Sequence, residues 1–237
     1  MKLAIVSLFA VLLPLGACAA DAQTPKTSHP MKIGIIGTGD IGGALARHWG
    51  AAGHQLVISS RHPEQLQALA KEIGPNVKVG TPQEAAAFGD VVMLAVPYSA
   101  LPQVGRDYAA ELKGKVVMDA GNPYPGRDGD MAVRDRQRGT GVAVKEYLPG
   151  TRLVRAFNAI NAGPLANQAF EKPQRLGIPL ASDDPEALKI AAQLVSDAGF
   201  DPVPVGGLAR AREFDVGTPV YVRGMTAAEL RKALNLK

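Results

Sequence analysis

The ten residues KIGIIGTGDI, Lys32 to Ile41, constrain this chain more than any other stretch. An apolar run, Lys32 to Ile36, leads straight into Gly37-Thr38-Gly39-Asp40-Ile41-Gly42 and then into an Ala-rich amphipathic segment. A G-x-G-x-x-G motif alone is weak. Placed between a strand and a helix, it is the turn that holds a dinucleotide pyrophosphate. Gly37 permits the tight turn, Gly39 lets the backbone approach a pyrophosphate, and Gly42 lets the helix pack closely on the strand. The helix start adds free N–H groups and the positive end of its dipole. The competing reading is a tight strand-to-helix turn that binds nothing.

The remainder repeats the same alternation. Strands are predicted at 32–37, 55–59, 76–79, 90–96, 115–119, 152–157, 176–181 and 201–205, and helices at 41–52, 63–73, 82–88, 98–112, 140–148 and 184–198. The strands are mostly continuous runs of Val and Ile, as expected when both faces are buried. Thr81-Pro82-Gln83-Glu84 and Thr226-Ala227-Ala228-Glu229 read as capping boxes, and Asp184-Pro185 opens a helix in a similar way. The expectation is an α/β fold: a Rossmann-type, doubly wound, mainly parallel sheet in a single domain. With 237 residues there is no room for a separate large substrate domain, so a ligand site is expected at the carboxyl ends of the strands. Residues 31–212 are assigned to this dinucleotide-binding domain and 213–237 to a short, polar C-terminal extension.

Composition narrows the function classes. Hydrophobic residues at 46% and charged residues at 20% exclude disorder as the main state. A net charge of +4 does not make a nucleic-acid binder without concentration on one face, and 5% aromatics do not furnish a stacking platform. One cysteine excludes a disulfide framework and a cysteine zinc site, and no metal-ligand cluster is evident.

That cysteine belongs to the N-terminal segment. Residues 1–20, MKLAIVSLFAVLLPLGACAA, have a charged start and an apolar core too short for a comfortable span. Leu15-Gly16-Ala17-Cys18 resembles a lipoprotein box, in which Cys18 receives lipid. Residues 21–30 are expected to be a tether. The location expected is the cell envelope or periplasm, as a lipoprotein or a secreted protein. Translation starting at Met31 instead gives a cytoplasmic enzyme.

The second strand ends in Ser59-Ser60-Arg61. NAD binders usually place an acid there for the ribose 2′-hydroxyl, whereas a hydroxyl and a guanidinium suit a 2′-phosphate. The expected cofactor is therefore NADP(H), held by Ser60 and Arg61. Val96-Pro97 and Ala120-Gly121-Asn122 end the fourth and fifth strands and should flank the nicotinamide, with Asn122 placed to contact its carboxamide.

No general acid stands out. His29 lies in the tether, His48 far along the first helix, His54 at the wrong end of the second strand and His62 near the adenosine. No Tyr-x-x-x-Lys spacing occurs, so the catalytic residue is unassigned. Asn158 and Asn161 are polar candidates near the sheet switch, and both also suit a cap. Arg127 to Arg138, RDGDMAVRDRQR, reads as a solvated loop of mixed charge, with a lid or a basic docking site as the alternatives.

KIGIIGTGDIGGALARHW, SSR, DVVMLAVPYSAL, KVVMDAGNPY, LVRAFNAINAG and IPLASDDPEALKIAAQLVSDAGFDPVPVGGLARAR together resemble the NADP oxidoreductase family that reduces the deazaflavin coenzyme F-420. The resemblance covers residues 31–212. It implies pyrophosphate binding by Thr38 to Ile41, 2′-phosphate binding by Ser60 and Arg61, and a nicotinamide lined by Val96, Pro97 and Ala120 to Asn122. It places the deazaflavin near Asn158, Ile160, Asn161 and Ala162. Related membrane ferric reductases pass electrons from NADPH to flavin through a similar domain. The expected activity is hydride transfer between NADP(H) and a flavin or deazaflavin such as F-420, the small-molecule partner. No nucleic-acid partner is expected, and a homodimer is left open. The alternatives are an envelope-anchored NADP-binding module without turnover, and a carbonyl or imine reductase of the same fold, which needs a proton donor.

Overall fold

The computed structural model describes residues 25–236. Cys18 and the apolar N-terminal segment lie outside that range. Among the described residues, eight strands form one sheet: β1 (Lys32–Ile36), β2 (Gln55–Ser59), β3 (Val77–Gly80), β4 (Val91–Leu94), β5 (Val116–Asp119), β6 (Arg152–Arg155), β7 (Gly177–Ala181) and β8 (Asp201–Gly206). Their order is β3-β2-β1-β4-β5-β6-β7-β8. Every pairing is parallel except β6 with β7, which meet antiparallel at Arg155 and Ala181. The doubly wound expectation is met, and all eight predicted strands are present.

Among the described residues, ten α-helices accompany the sheet. The first five are α1 (Asp40–Ala52), α2 (Gln67–Ile73), α3 (Pro82–Phe88), α4 (Leu101–Asp107) and α5 (Ala109–Leu112). The rest are α6 (Pro125–Arg138), α7 (Thr140–Tyr147), α8 (Ala162–Asn167), α9 (Pro185–Asp197) and α10 (Ala227–Ala233). Both capping boxes form, at Thr81 with Glu84 and at Thr226 with Glu229, and Asp184 caps α9 through the N–H groups of Glu186 and Ala187.

Successive residues of each central strand point to opposite faces, and each face has its own core. Ile33, Ile35, Leu56, Ile58, Met93 and Met118 pack under α1 and α9. Ile36, Val57, Val92, Leu94 and Val117 pack under α3, α4 and α7. Burial on both faces is why these strands read as unbroken apolar runs.

Three segments differ from expectation. Residues 127–138 form most of α6 rather than a loop. Gly129, at φ 62°, kinks the helix, and the density of charge hides its periodicity. Its inner face is fixed by two buried carboxylates. Asp128 accepts from the N–H groups of Ser99 and Tyr124 at 3.2 and 2.9 Å, and Asp135 accepts from the hydroxyls of Tyr98 and Tyr147 at 3.3 and 2.6 Å. A helix pinned in this way is not a lid. The C-terminal residues are not an appendage either. Phe214, Val220, Leu230 and Leu234 close over Ala181, Val203 and Val205 and cover the β7–β8 end of the sheet. At the other end, the N–H of Thr27 donates to the Ala52 carbonyl at 2.8 Å, so the last residues of the expected tether lie against α1.

Candidate functional site: two clefts at the sheet switch point

β1 and β4 are neighbours, yet the chain leaves them toward opposite edges of the sheet. Such a switch point opens a crevice beyond the strand ends, where open α/β sheets bind ligands. Two clefts adjoin there. One, of about 590 Å³, runs beside the glycine loop and includes Thr38, Gly39, Asp40 and Arg47. The other, of about 490 Å³, includes Asp40, Ile41, Val96, Pro97, Ala120, Asn122, Ile160, Asn161 and Ala162. Asp40 lines both.

The loop is tied to β2. The N–H groups of Gly37 and Thr38 donate to the Ser59 carbonyl at 3.0 and 3.1 Å, and the Thr38 hydroxyl donates to the same oxygen at 3.0 Å. Gly37 sits at φ 94°, a conformation that favours glycine. A Cβ at Gly42 would stand 2.1 Å from the Gly37 carbonyl oxygen, so Gly42 is required by packing. Gly39 is different. A Cβ there would meet no atom within 4 Å. The space over Gly39 is empty of protein, while Gly39, the N-cap of α1, supplies no side-chain cap. Among the described residues, the N–H groups of Gly39, Asp40, Ile41 and Gly42 have no backbone acceptor. Free donors at a helix start beside an open cradle fit a pyrophosphate.

At the end of β2, Ser59 is spent on the fold, its buried hydroxyl donating to the Ile35 carbonyl at 2.8 Å. Ser60 accepts from the His62 N–H at 3.0 Å. Arg61 is exposed and makes no hydrogen bond or ion pair among the described residues.

The second cleft is built on a buried ion pair. Arg155 on β6 bonds to the Asp119 carboxylate on β5, and both side chains are fully buried. Burial pushes the Asp119 carboxyl up, against the pull of the guanidinium. Arg155 also donates to the Gly121 carbonyl at 2.8 Å, and Asp119 accepts from the Gly121 N–H at 3.0 Å. Loop 120–122 is thereby clamped from both sides. The Asn122 amide donates to the Asn158 carbonyl at 2.8 Å, leaving its own side-chain oxygen buried without a partner.

Asn158 does not reach the cleft. Its side chain is buried and directed to the Phe214 carbonyl at 3.4 Å. Asn161 does line the cleft; it occupies the N-cap position of α8 but its side chain makes no capping bond. The expected group of Asn158, Ile160, Asn161 and Ala162 is therefore brought together except for its first member. None of His48, His54 and His62 serves here. His48 bonds to the Leu165 carbonyl at 2.7 Å, His54 is buried behind α1, and His62 faces Glu64.

Four further residues line the cleft: Tyr124, Arg127, Phe157 and Tyr221. Phe157, at φ 60°, packs edge-on against Trp49. The Arg127 guanidinium lies 5.1 Å from the centre of the Tyr124 ring and donates to the Asn122 carbonyl at 2.7 Å. Burial opposes ionisation of Asp128, but Arg127 and the two N–H donors hold its carboxyl at about 2. The hydroxyls of Tyr124 and Tyr221 are hydrogen-bonded to each other across 97 residues of sequence. Tyr124 follows the Asn122-Pro123 turn closely enough to be suspected from sequence. Nothing local in the sequence marks Tyr221. Among the described residues no group of acids, histidines or cysteines could hold a metal ion, and no helix is long and apolar enough to cross a membrane.

The family described as NADP oxidoreductase, coenzyme F420-dependent, matches residues 32–123. The F420-dependent NADP reductase of Methanothermobacter thermautotrophicus is 32% identical over 206 residues, which is 81% of this chain and 88% of that one. The chain belongs to this family. It is thus an NADP-dependent oxidoreductase built on a Rossmann-type sheet. The chain is also similar to the metalloreductase STEAP3 of Rattus norvegicus, 30% identical over 82% of this chain but only 37% of that protein. Among solved structures, the hypothetical protein SMa0349 from Sinorhizobium meliloti superposes with a TM-score of 0.73 at 29% identity, covering 84% of this chain and 96% of that one.

Proposed function

We propose that this oxidoreductase transfers a hydride between NADP(H) and a flavin-type acceptor, with the deazaflavin F420 the first candidate. The observation that carries the reading is the pair of adjoining clefts: one beside an open cradle at Gly39, the other enclosed by loops 95–97, 120–122 and 157–162. The F420 dependence named for the archaeal relative supports the choice of acceptor.

In this reading Thr38 to Gly42 hold the pyrophosphate through backbone N–H groups, and Ser60 and Arg61 hold the 2′-phosphate. Val96, Pro97, Ala120 and Asn122 position the nicotinamide, with the orphaned oxygen of Asn122 as an acceptor for an amide. Bound NADPH supplies the hydride. Ile160, Asn161 and Ala162 form the wall against which the acceptor ring lies. Arg155 and Asp119 are positioning residues that hold loop 120–122 in place before any ligand arrives.

The test is to mix the purified chain with NADPH and F420, or with FMN, and to follow bleaching of the acceptor's visible absorbance. Bleaching that needs NADPH and is much slower with NADH supports the reading. Binding of NADPH without bleaching of either acceptor would replace it with the nucleotide-binding module.

A further inference from the structure

We propose that the Tyr124–Tyr221 pair donates a hydrogen bond and a proton to a carbonyl oxygen of the acceptor, with Tyr221 the group in contact, and that the acceptor is therefore a conjugated carbonyl compound. The inference rests on the reading of the 490 Å³ cleft as the acceptor's place.

Two phenols share one hydrogen bond. Whichever oxygen donates, one O–H proton of the pair is left over. Neither hydroxyl has another partner among the described residues, and both side chains line the cleft. The leftover proton therefore faces the cleft or the solvent at its mouth. Of the other polar side chains there, Asn161 keeps a free amide on the α8 wall, and two more are already engaged. Asn122 spends its amide on a backbone carbonyl, and Arg127 is committed to Asp128 and to the Asn122 carbonyl.

Backbone strain marks the same place. Val222 sits at φ 50°, where a β-branched residue is an outlier. Its N–H donates to the Ala159 carbonyl at 3.0 Å, which ties the turn carrying Tyr221 to the cleft wall. Strain of this kind persists when the surroundings impose it, and it clusters at functional sites. Burial and the Tyr124 bond raise the Tyr221 phenol, so it stays a neutral donor across the ordinary pH range. Arg127, beside Tyr124, favours negative charge gathering on the pair.

The balance is simple. A bond to hydrogen forms at the acceptor atom conjugated to the carbonyl (C5 of a deazaflavin, N5 of a flavin, the β-carbon of an enone, the distal oxygen of a quinone), while the C4–H bond of the reduced nicotinamide breaks and leaves NADP+. The displaced electron pair moves to the carbonyl oxygen. Tyr221 donates to that oxygen as its charge develops, the proton follows, and the phenolate is refilled through Tyr124, which is 39% exposed. Flavins, deazaflavins, quinones and enones all present such an oxygen; a bare metal ion does not.

The experiment uses Tyr221→Phe and Tyr124→Phe in the full chain, with F420, FMN and a small naphthoquinone as acceptors. Binding of each oxidised ring is read by quenching of its fluorescence or by difference absorbance, with NADP+ present so that nothing turns over; kcat is read with NADPH. Tyr221→Phe is expected to weaken ring binding and to lower kcat about tenfold each, while NADPH affinity is unchanged. Tyr124→Phe should act in the same direction and decides the matter if Tyr221→Phe does not fold. A loss under fivefold in both readouts overturns the inference. If the wild-type chain handles only the quinone, the flavin reading falls while the tyrosine pair is still judged on the quinone. If it holds NADPH but neither binds nor reduces any of the three, the pair has no conjugated carbonyl to serve and the inference falls.

Discussion

Arg155 and Asp119 face each other from adjacent strands with no solvent exposure, and between them they hold both the N–H and the carbonyl of Gly121. The pair transmits the register of β5 and β6 to the loop that lines the second cleft. Asp215, from the C-terminal segment, stands 3.8 Å from the same guanidinium and binds the N–H of Thr140 at 3.0 Å. Removing one member leaves the other charged and buried. Arg155→Met is expected to cost about 3–5 kcal/mol of stability in urea unfolding. Asp119→Asn should cost less, because an amide still accepts from Gly121. Equal, small losses for both would show that the pair is not ionised.

The glycine loop separates packing from binding. Gly42→Ala places a methyl group 2.1 Å from the Gly37 carbonyl and should destabilise the fold by about 1–3 kcal/mol. Gly39→Ala meets no protein atom, so its stability should stay within about 0.5 kcal/mol. Its NADPH affinity should still fall by about tenfold or more, because the added methyl group occupies the cradle. Trp49, packed on the cleft residue Phe157, reports the titration by fluorescence. Unchanged binding in Gly39→Ala would mean that the loop holds no phosphate.

Arg61 is exposed and makes no hydrogen bond or ion pair among the described residues, so its removal should change stability by no more than about 0.5 kcal/mol. Arg61→Ala is expected to weaken NADPH by about 1.5–3 kcal/mol, tenfold or more, and to leave NADH nearly unchanged. Equal loss for both nucleotides would remove the assignment of the 2′-phosphate.

His54 gives the fold a pH limit. Its Nδ1 accepts from the Met31 N–H at 3.1 Å and its Nε2 lies 3.1 Å from the Asp197 carboxylate. A proton on Nδ1 would oppose the Met31 N–H. Burial lowers its pKa, and Asp197 only partly offsets this; burial lowers His48 as well. The unfolded chain therefore binds protons first, at about pH 6.5. Stability is full above that value and erodes as pH falls through it toward the folded pKa values, at up to about 1.4 kcal/mol per pH unit for each histidine. The melting temperature should drop between pH 7.5 and pH 5, with a shallower slope in His54→Gln. A slope the same as the wild type's would clear His54 of the effect.

Much of the molecule is legible in the amino-acid sequence because it is local. Unbroken Val and Ile runs announce strands buried on both faces. Thr81 with Glu84 and Thr226 with Glu229 announce helix starts, and the glycine spacing with the surrounding motifs announces the family. α6 escapes this kind of reading. Its kink at Gly129 interrupts the period, and its buried acids make sense only with Ser99, Tyr98 and Tyr147, which other elements supply. Asn158 looks like a site residue from its neighbours in sequence, yet its backbone turns the side chain inward. Tyr124 and Tyr221 meet only because the C-terminal segment folds back over the strand ends. Sequence alone determined the alternation of strand and helix, the phosphate loop and the family, each of them set by short-range periodicity and turn chemistry. Tertiary structure decided which side chains share the second cleft, because that depends on strand order and on how the C-terminal segment packs across the sheet, and no local pattern encodes either.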